Sequence, residues 1–159
     1  MLGYTVQPEK WNCVIIMVKV KLVRELNFPA AQVWAVLEDF GNMEWVMGPP
    51  KVEVIGEGIG MIRRILMPGL EPIDEVLETS DAATMTYSYT IPRGLPLPLT
   101  DYRSTARVEA TESGEARVHW SCECTPIDAS MTEAAIEALM QDTYNSMLDA
   151  LEAFLQSKE

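Results

Sequence analysis

The sequence predicts an α+β fold in which a curved antiparallel sheet of about seven strands is wrapped around one long C-terminal helix. Repeated stretches of alternating apolar and polar residues, separated by turns rich in Gly and Pro, indicate half-buried strands. The last part of the chain lacks Pro and Gly and has apolar residues at helical spacing. At 159 residues and 17.8 kDa, the chain is long enough for one hydrophobic core.

The first element is a strand from Val18 to Phe28, in which apolar residues alternate with lysines at the start. Pro29 then begins a short helix, where its missing N–H group costs little. The residues that recur along one face of this helix are Val33, Trp34, Leu37 and Phe40. A second short helix is predicted at Asn42 to Val46, ending at Gly48-Pro49-Pro50.

Four further stretches predict strands in the middle of the chain. Val52 to Ile55 and Met61 to Met67 flank a glycine-rich turn and should pair antiparallel. Ile73 to Glu78 follows a second turn, Pro68 to Pro72. The next strand has one aromatic and apolar face, formed by Met85, Tyr87, Tyr89 and Ile91.

Two more strands follow the loop from Pro92 to Thr100, which contains three leucines stiffened by prolines. The first of these strands should place Tyr102, Ser104, Ala106 and Val108 on one face. The second should place Val118, Trp120, Cys122 and Cys124 inward and His119 outward. After them, Ser130 to Glu133 matches an S-x-x-E capping box at the start of the long helix. Its apolar stripe includes Ile136, Leu139, Met140, Met147, Leu148, Leu151, Phe154 and Leu155.

The bulk composition excludes several classes of protein. A formal net charge of -12 leaves no surplus of Lys and Arg for phosphates, so no nucleic-acid partner is expected. The longest apolar run, Cys13 to Val18, is too short for a membrane helix, and no integral membrane association is expected. Three cysteines without a disulfide framework fit a cytoplasmic protein. Residues 1–17 are interpreted as an N-terminal extension; one explanation is that Met17 is the natural start.

The order of elements, together with the segment Phe28 to Trp45, resembles a known superfamily. A pattern of P-x-x-x-V-W-x-x-L-x-D-F ending in a Trp is similar to the opening segment of the START and Bet v 1-like (SRPBCC) superfamily, which includes the polyketide cyclase/dehydrase-like family. This resemblance covers about Val18 to Gln156 and implies a helix-grip ligand-binding domain at residues 18–157.

A weaker similarity is to the plant abscisic-acid receptors of the same superfamily. Pro68 to Pro72 resembles their gate loop, and Pro92 to Leu99 occupies the place of their latch. The His-Arg of the latch is missing, and Gly48 stands where those receptors have a lysine for the ligand carboxylate. A carboxylate-bearing hormone is therefore not implied.

Catalytic motifs are scarce in the sequence. The single histidine, His119, is predicted on the outward face, so no Ser-His-Asp or Cys-His arrangement and no His-based metal site can form in a cavity. Gly56 to Gly60 contains G-x-G-x-G but joins two strands, which makes it a hairpin turn and not a phosphate loop. No cofactor and no metal are expected, and no catalytic residue is assigned.

Candidate ligand-binding residues come from the inward faces and from the leucine-containing loops. Arg64 would need a partner in a cavity, for which Asp74 or Glu75 is suited; alternatively, Arg64 reaches solvent. The tyrosines offer stacking area and a polar tip, but could equally be ordinary core, and the methionines could line an adaptable pocket or simply fill the core. The predicted set is Arg64, Leu66, Leu70, Asp74, Tyr87, Tyr89, Leu95, Leu97, Tyr102, Trp120, Met140, Tyr144 and Met147.

Three functions remain open from the sequence. The leading hypothesis is binding of a small hydrophobic molecule, such as an aromatic polyketide, an isoprenoid or a lipid-like compound, in an internal cavity. The first alternative is a cyclase/dehydratase-type enzyme in which Arg64 stabilises an enolate. The second is a ligand-dependent interaction module that uses the loop Leu95 to Leu99, which could otherwise be a lid or a dimer contact. The protein is expected to be a monomer or a homodimer.

Overall fold

The structure, a computed structural model, describes residues 16–46 and 48–159. The sequence-based interpretation of residues 1–15 therefore lies outside the described residues. The elements are β1 (Val18–Pro29), α1 (Ala30–Leu37), β2 (Lys51–Ile55), β3 (Ile62–Leu66), β4 (Ile73–Asp81), β5 (Thr86–Arg93), β6 (Leu99–Ala110), β7 (Glu115–Pro126) and α2 (Glu133–Gln156). No helix in this part of the chain is both long and apolar enough to cross a membrane.

The seven strands form one antiparallel sheet in the order β1-β7-β6-β5-β4-β3-β2. The chain therefore runs as a meander from β2 to β7 and closes with β1 beside β7. This arrangement, with the long α2 across one face, confirms the predicted helix-grip α+β fold. Short turns between neighbouring strands allow this meander. In the β2–β3 hairpin, Gly56, Gly58 and Gly60 all adopt the positive φ angles that such a turn requires.

The segment after α1 differs from the prediction of two short helices. Residues 38–46 contain turns but no regular helix, and the predicted second helix is reduced to one hydrogen-bonded turn in which Val46 N–H donates to the Met43 carbonyl at 3.1 Å. Trp45 is nevertheless buried in the core, and its indole N–H is satisfied by donating to the Asn42 carbonyl at 3.2 Å. A single turn is enough to place this ring in the core, since burial supplies most of the stability of short helices.

Helix α2 starts two residues later than the S-x-x-E pattern indicates. Its N-cap is Thr132, whose hydroxyl accepts from Ala135 N–H at 3.1 Å. Ser130 instead donates its N–H to Asp128 Oδ1 at 2.7 Å, in the loop before the helix. Both hydroxyl residues suit an N-cap, and only the path of the loop decides between them.

The core lies between the inner face of the sheet and α2. The predicted inward residues of β7, from Val118 to Cys124 in alternation, are all buried. Helix α2 is held against β1 by Arg24, which bonds to the Asn145 carbonyl and pairs with Asp149 and Glu152. The remaining interior, toward the N-terminal half of α2, is filled by large aromatic side chains.

Candidate functional site

A cluster of aromatic residues occupies the space between the sheet and α2. Tyr87 and Tyr89 enter from β5, Tyr102 from β6, Trp120 from β7, and Tyr144 from α2; each is at most 5% exposed. Neighbouring rings are close, with 6.0 Å between the centroids of Tyr87 and Tyr89 and 5.7 Å between those of Trp120 and Tyr144. Alternation along three neighbouring strands brings these side chains together, as the sequence predicted.

Hydrogen bonds connect the polar ends of this cluster. The hydroxyls of Tyr102 and Tyr144 are 2.8 Å apart, and Trp120 Nε1 donates to Ser104 Oγ at 3.0 Å. Ser104 in turn donates to the Ser121 carbonyl at 3.1 Å. Burial raises the pKa of both Tyr102 and Tyr144, so both phenols stay neutral at physiological pH. The result is a polar chain across an otherwise apolar interior.

A thiol pair borders the same cluster. Cys122 and Cys124 are free, buried and on the same face of β7. Hydrogen bonds from Cys124, Tyr144 and Tyr102 lower the pKa of the Cys122 thiol, although burial opposes this. Cys122 is thus a further polar group next to the two phenols.

A buried ion pair forms the second polar feature of the interior. Arg63, 2% exposed, pairs with Glu75 on the neighbouring strand and donates to the Phe40 carbonyl at 3.0 Å. Its guanidinium also lies 4.0 Å from the centroid of the Phe40 ring and 5.1 Å from that of Tyr89. Burial disfavours the charge, but the Glu75 carboxylate holds the pKa of Arg63 above its usual value. The guanidinium is therefore a permanent cation inside the fold.

The inward arginine of β3 is thus Arg63, while Arg64 follows the alternative in which it lies away from the interior, so its inclusion in the predicted ligand-binding set is corrected. Arg64 lies on the other face of the strand, where its guanidinium donates to both carboxylate oxygens of Asp74 at 2.7 and 2.9 Å. This bond lowers the pKa of Asp74. Leu66 shares that face and is half-buried. The predicted pairing of Arg64 with Asp74 exists, but outside the aromatic interior.

The loop Pro68 to Pro72 and the loop Pro92 to Thr100 meet at one edge of the fold. Together they form a small pocket of about 200 Å³, lined in part by Leu70 and Leu95. The loops touch at Gly94, where a Cβ atom would lie 2.1 Å from the Pro72 carbonyl oxygen. Only glycine, with a φ of 76° here, allows this close approach. Leu95 and Leu97 pack against the core, whereas Leu70 is 60% exposed. We call this pocket the mouth.

The predicted ligand-binding residues of α2 differ in how deeply they are buried. Met140 and Tyr144 are buried, and Met147 is half-buried against the core. Phe40 and Trp45, which were not in the predicted ligand-binding set, complete the ring cluster, and Glu75, suggested by the sequence as a partner for Arg64, supplies its carboxylate to Arg63 instead. Phe40 and Trp45 both belong to the opening segment Phe28 to Trp45, and that was the available signal. Within the described residues, no group of three or more His, Cys, Asp or Glu is placed to hold a metal ion.

Comparison with known proteins identifies relatives of this fold. A family model described as "polyketide cyclase / dehydrase and lipid transport" matches residues 17–156. An uncharacterised protein from Bacillus thuringiensis is 33% identical, covers 86% of this chain and 98% of its own, and superposes with a TM-score of 0.70. The protein XoxI from Bacillus cereus is 28% identical over 89% of this chain and 99% of its own, with a TM-score of 0.71.

A more distant structure shares the fold. Norcoclaurine synthase from Thalictrum flavum, solved with dopamine and hydroxybenzaldehyde, is 19% identical, covers 100% of this chain and 98% of its own, and has a TM-score of 0.72. No curated protein matches the sequence significantly. The match over residues 17–156 and the shared fold lead to one conclusion: the chain is a ligand-binding domain of the SRPBCC superfamily and belongs to the polyketide cyclase / dehydrase and lipid transport family.

Proposed function

We propose that the chain binds one small hydrophobic molecule, of the aromatic polyketide, isoprenoid or lipid-like class, between the inner face of the sheet and α2. The observation that carries this proposal is the pair of polar features, Arg63 with Glu75 and Tyr102 with Tyr144, buried among aromatic rings. A well-packed apolar core of the same volume would be as stable or more stable than a buried ion pair. A role in orienting a ligand explains why the interior keeps these groups.

The chemistry of the interior defines the class of ligand. Aromatic faces favour a flat or apolar body, and the phenols, kept neutral by burial, offer hydrogen-bond donors to an oxygen of the ligand. The Arg63 guanidinium, whose charge is balanced by Glu75, suits a carbonyl or phenol oxygen better than a second full negative charge. Norcoclaurine synthase, of the same fold, was solved with small aromatic compounds, which supports this choice by analogy.

The mouth is the proposed route into the interior. Leu95 lines it, and Leu95, Leu97 and Met147 are half-buried against the core. Binding requires these side chains to move, and the unbranched Met140 and Met147 can adopt other rotamers at low cost. Leu70 is the exposed apolar residue that an incoming ligand would meet first.

A thermal-shift screen with flavonoids, polycyclic aromatics, isoprenoids, sterols and fatty acids tests the proposal. One class should raise the Tm, because a ligand at 100 times its Kd stabilises the native state by about 2.7 kcal/mol. Met147→Trp, which enlarges a half-buried side chain that packs against the core, should abolish the rise. The matched control Val23→Trp, at a 45% exposed position of β1, should keep it. A well-folded protein that responds to no class would contradict the proposal.

A cyclase/dehydratase-type reaction is a second candidate, favoured by the buried Glu75 carboxylate beside Arg63. Arg63 would stabilise a developing enolate oxygen, and Glu75 would move the proton. The ligand found in the screen distinguishes the two functions, since a carrier releases it unchanged and an enzyme converts it. The interaction-module alternative lacks such support, because Leu95, Leu97 and Leu99 face the core.

A further inference from the structure

A second cavity lies away from the mouth, at the N-terminal end of α2. It is a groove of about 800 Å³ between the start of β1, the start of β6 and the loop that joins β7 to α2. Its apolar wall includes Ile16, Val18, Ile127 and Met131, of which Ile16 and Ile127 are 57% and 63% exposed. A volume of this size holds a drug-sized molecule.

The charged groups that line this groove are all acidic. They are Asp101, Asp128 and Glu133, and no Lys or Arg of the described part of the chain lines it. None of the three carboxylates forms an ion pair with any Lys or Arg among residues 16–46 and 48–159, whose arginines are all engaged elsewhere. The N-terminus of α2 contributes roughly half a positive charge, which offsets only a small part of three negative ones.

Local structure holds two of these carboxylates at the groove. Asp128 Oδ1 accepts the Ser130 N–H, and hydrogen bonds from Ser130 lower the pKa of Asp128, so it is ionised at neutral pH. Asp101 has a φ of 52° and lies where the pairing of β6 with β7 shifts register between Thr100 and Arg103. Such an irregularity redirects a side chain out of the regular alternation. Its neighbour Tyr102 is buried in the aromatic interior, and none of the five rings of that cluster lines the groove, which is therefore a separate space.

We propose that this groove binds a small amphiphilic amine, with its apolar body against Ile127 and Met131 and its cationic nitrogen facing Asp101, Asp128 and Glu133. Charge complementarity selects the cation, since each carboxylate is exposed to the groove and lacks a partner of opposite charge in the described residues. The groove volume of about 800 Å³ lies in the range of small-molecule sites, which favours a small molecule as the occupant.

Calorimetric titration of the full chain with octyltrimethylammonium, octanoate and octanol tests the proposal at matched chain length. The ammonium should bind more tightly than the other two, and its affinity should fall as salt is raised from low to physiological concentration. The triple variant Asp101→Asn, Asp128→Asn, Glu133→Gln should weaken its binding about tenfold, since exposed charge pairs each contribute a factor of about two or three.

A matched control separates local from overall charge. The triple variant Glu57→Gln, Glu112→Gln, Glu137→Gln changes the net charge equally at exposed positions outside the groove and should keep the affinity. Ile127→Ser should weaken the binding of all three probes. Equal binding of octanoate, or an equal loss in the control triple, would overturn the proposal. Loss of binding in Met147→Trp but not in the groove triple would also overturn it, while supporting the interior site.

Discussion

Arg63 is held on all sides by the protein, with Glu75, the Phe40 carbonyl and two aromatic faces around its guanidinium. Its charge therefore depends on a single carboxylate. In the sequence, Arg63 and Arg64 are adjacent in a short strand, and both are followed by apolar residues at a spacing of two. Alternation alone cannot decide which one is inward, because either choice leaves one arginine on each face.

Replacement of Glu75 by Leu should destabilise the protein by about 3–5 kcal/mol, because it leaves the buried Arg63 charge without a partner. The double variant Arg63→Met, Glu75→Leu should recover most of that loss. Urea unfolding gives both free energies. Glu78→Leu, at the partly exposed pair with Arg103, is the control and should cost much less. A Glu75 variant no less stable than this control would show that Arg63 is not buried as described.

At the scale of elements, the start of α2 depends on Thr132. Its hydroxyl satisfies one of the N–H groups that have no partner in the first turn of a helix. The S-x-x-E pattern indicated Ser130 instead, because both residues are of the type that caps helices. The loop from Ile127 to Met131 decides which residue caps the helix. Asp128 accepts the Ser130 N–H and so keeps Ser130 outside the helix.

Thr132→Ala should lower the free energy of unfolding by about 1 kcal/mol through loss of the N-cap. Ser130→Ala should have a clearly smaller effect, since Ser130 lies outside the helix and keeps its backbone N–H bond to Asp128. Thermal and urea unfolding of the two variants measure the difference. A larger loss in Ser130→Ala would show that the helix starts at the S-x-x-E pattern.

At the scale of the whole molecule, four buried tyrosines tie stability to alkaline pH. Burial raises the pKa of Tyr87 from 10.0 to about 12, and it also raises the pKa values of Tyr89, Tyr102 and Tyr144. In the unfolded chain these phenols lose their protons near pH 10, before the folded protein does. Their contribution to stability is therefore complete below pH 10 and is lost as the pH rises toward 12.

The protein should thus unfold cooperatively between about pH 10 and 12, with tyrosinate absorbance appearing together with the loss of near-UV circular dichroism. Tyr87→Phe should move the transition to higher pH, provided that the fold keeps its stability at pH 7. Tyrosinate absorbance from more than one of the five tyrosines near pH 10, well before the change in circular dichroism, would mean that buried phenols are accessible in the folded state.

Most strands and the length of α2 follow from side-chain periodicity, which is a local property of the chain. Tyr87, Tyr89, Tyr102 and Trp120 were placed inward correctly, because strict alternation leaves one choice once a face is apolar. The acidic groove could not be predicted in this way. Asp128 and Glu133 are five residues apart, but Asp101 is 27 residues before Asp128 and joins them only where β6, β7 and α2 converge.

Local pattern thus determined the element order, the inward faces and the SRPBCC-like opening segment, since each depends on neighbours a few residues away. The three-dimensional packing alone decided that Arg63 and Glu75 form the interior pair, that Thr132 caps α2, and that a groove with three carboxylates opens beside it. The interior pair and the groove depend on contacts between distant segments, and the helix cap depends on the path of the loop before α2. Their energies come from burial and electrostatics, which periodicity does not encode.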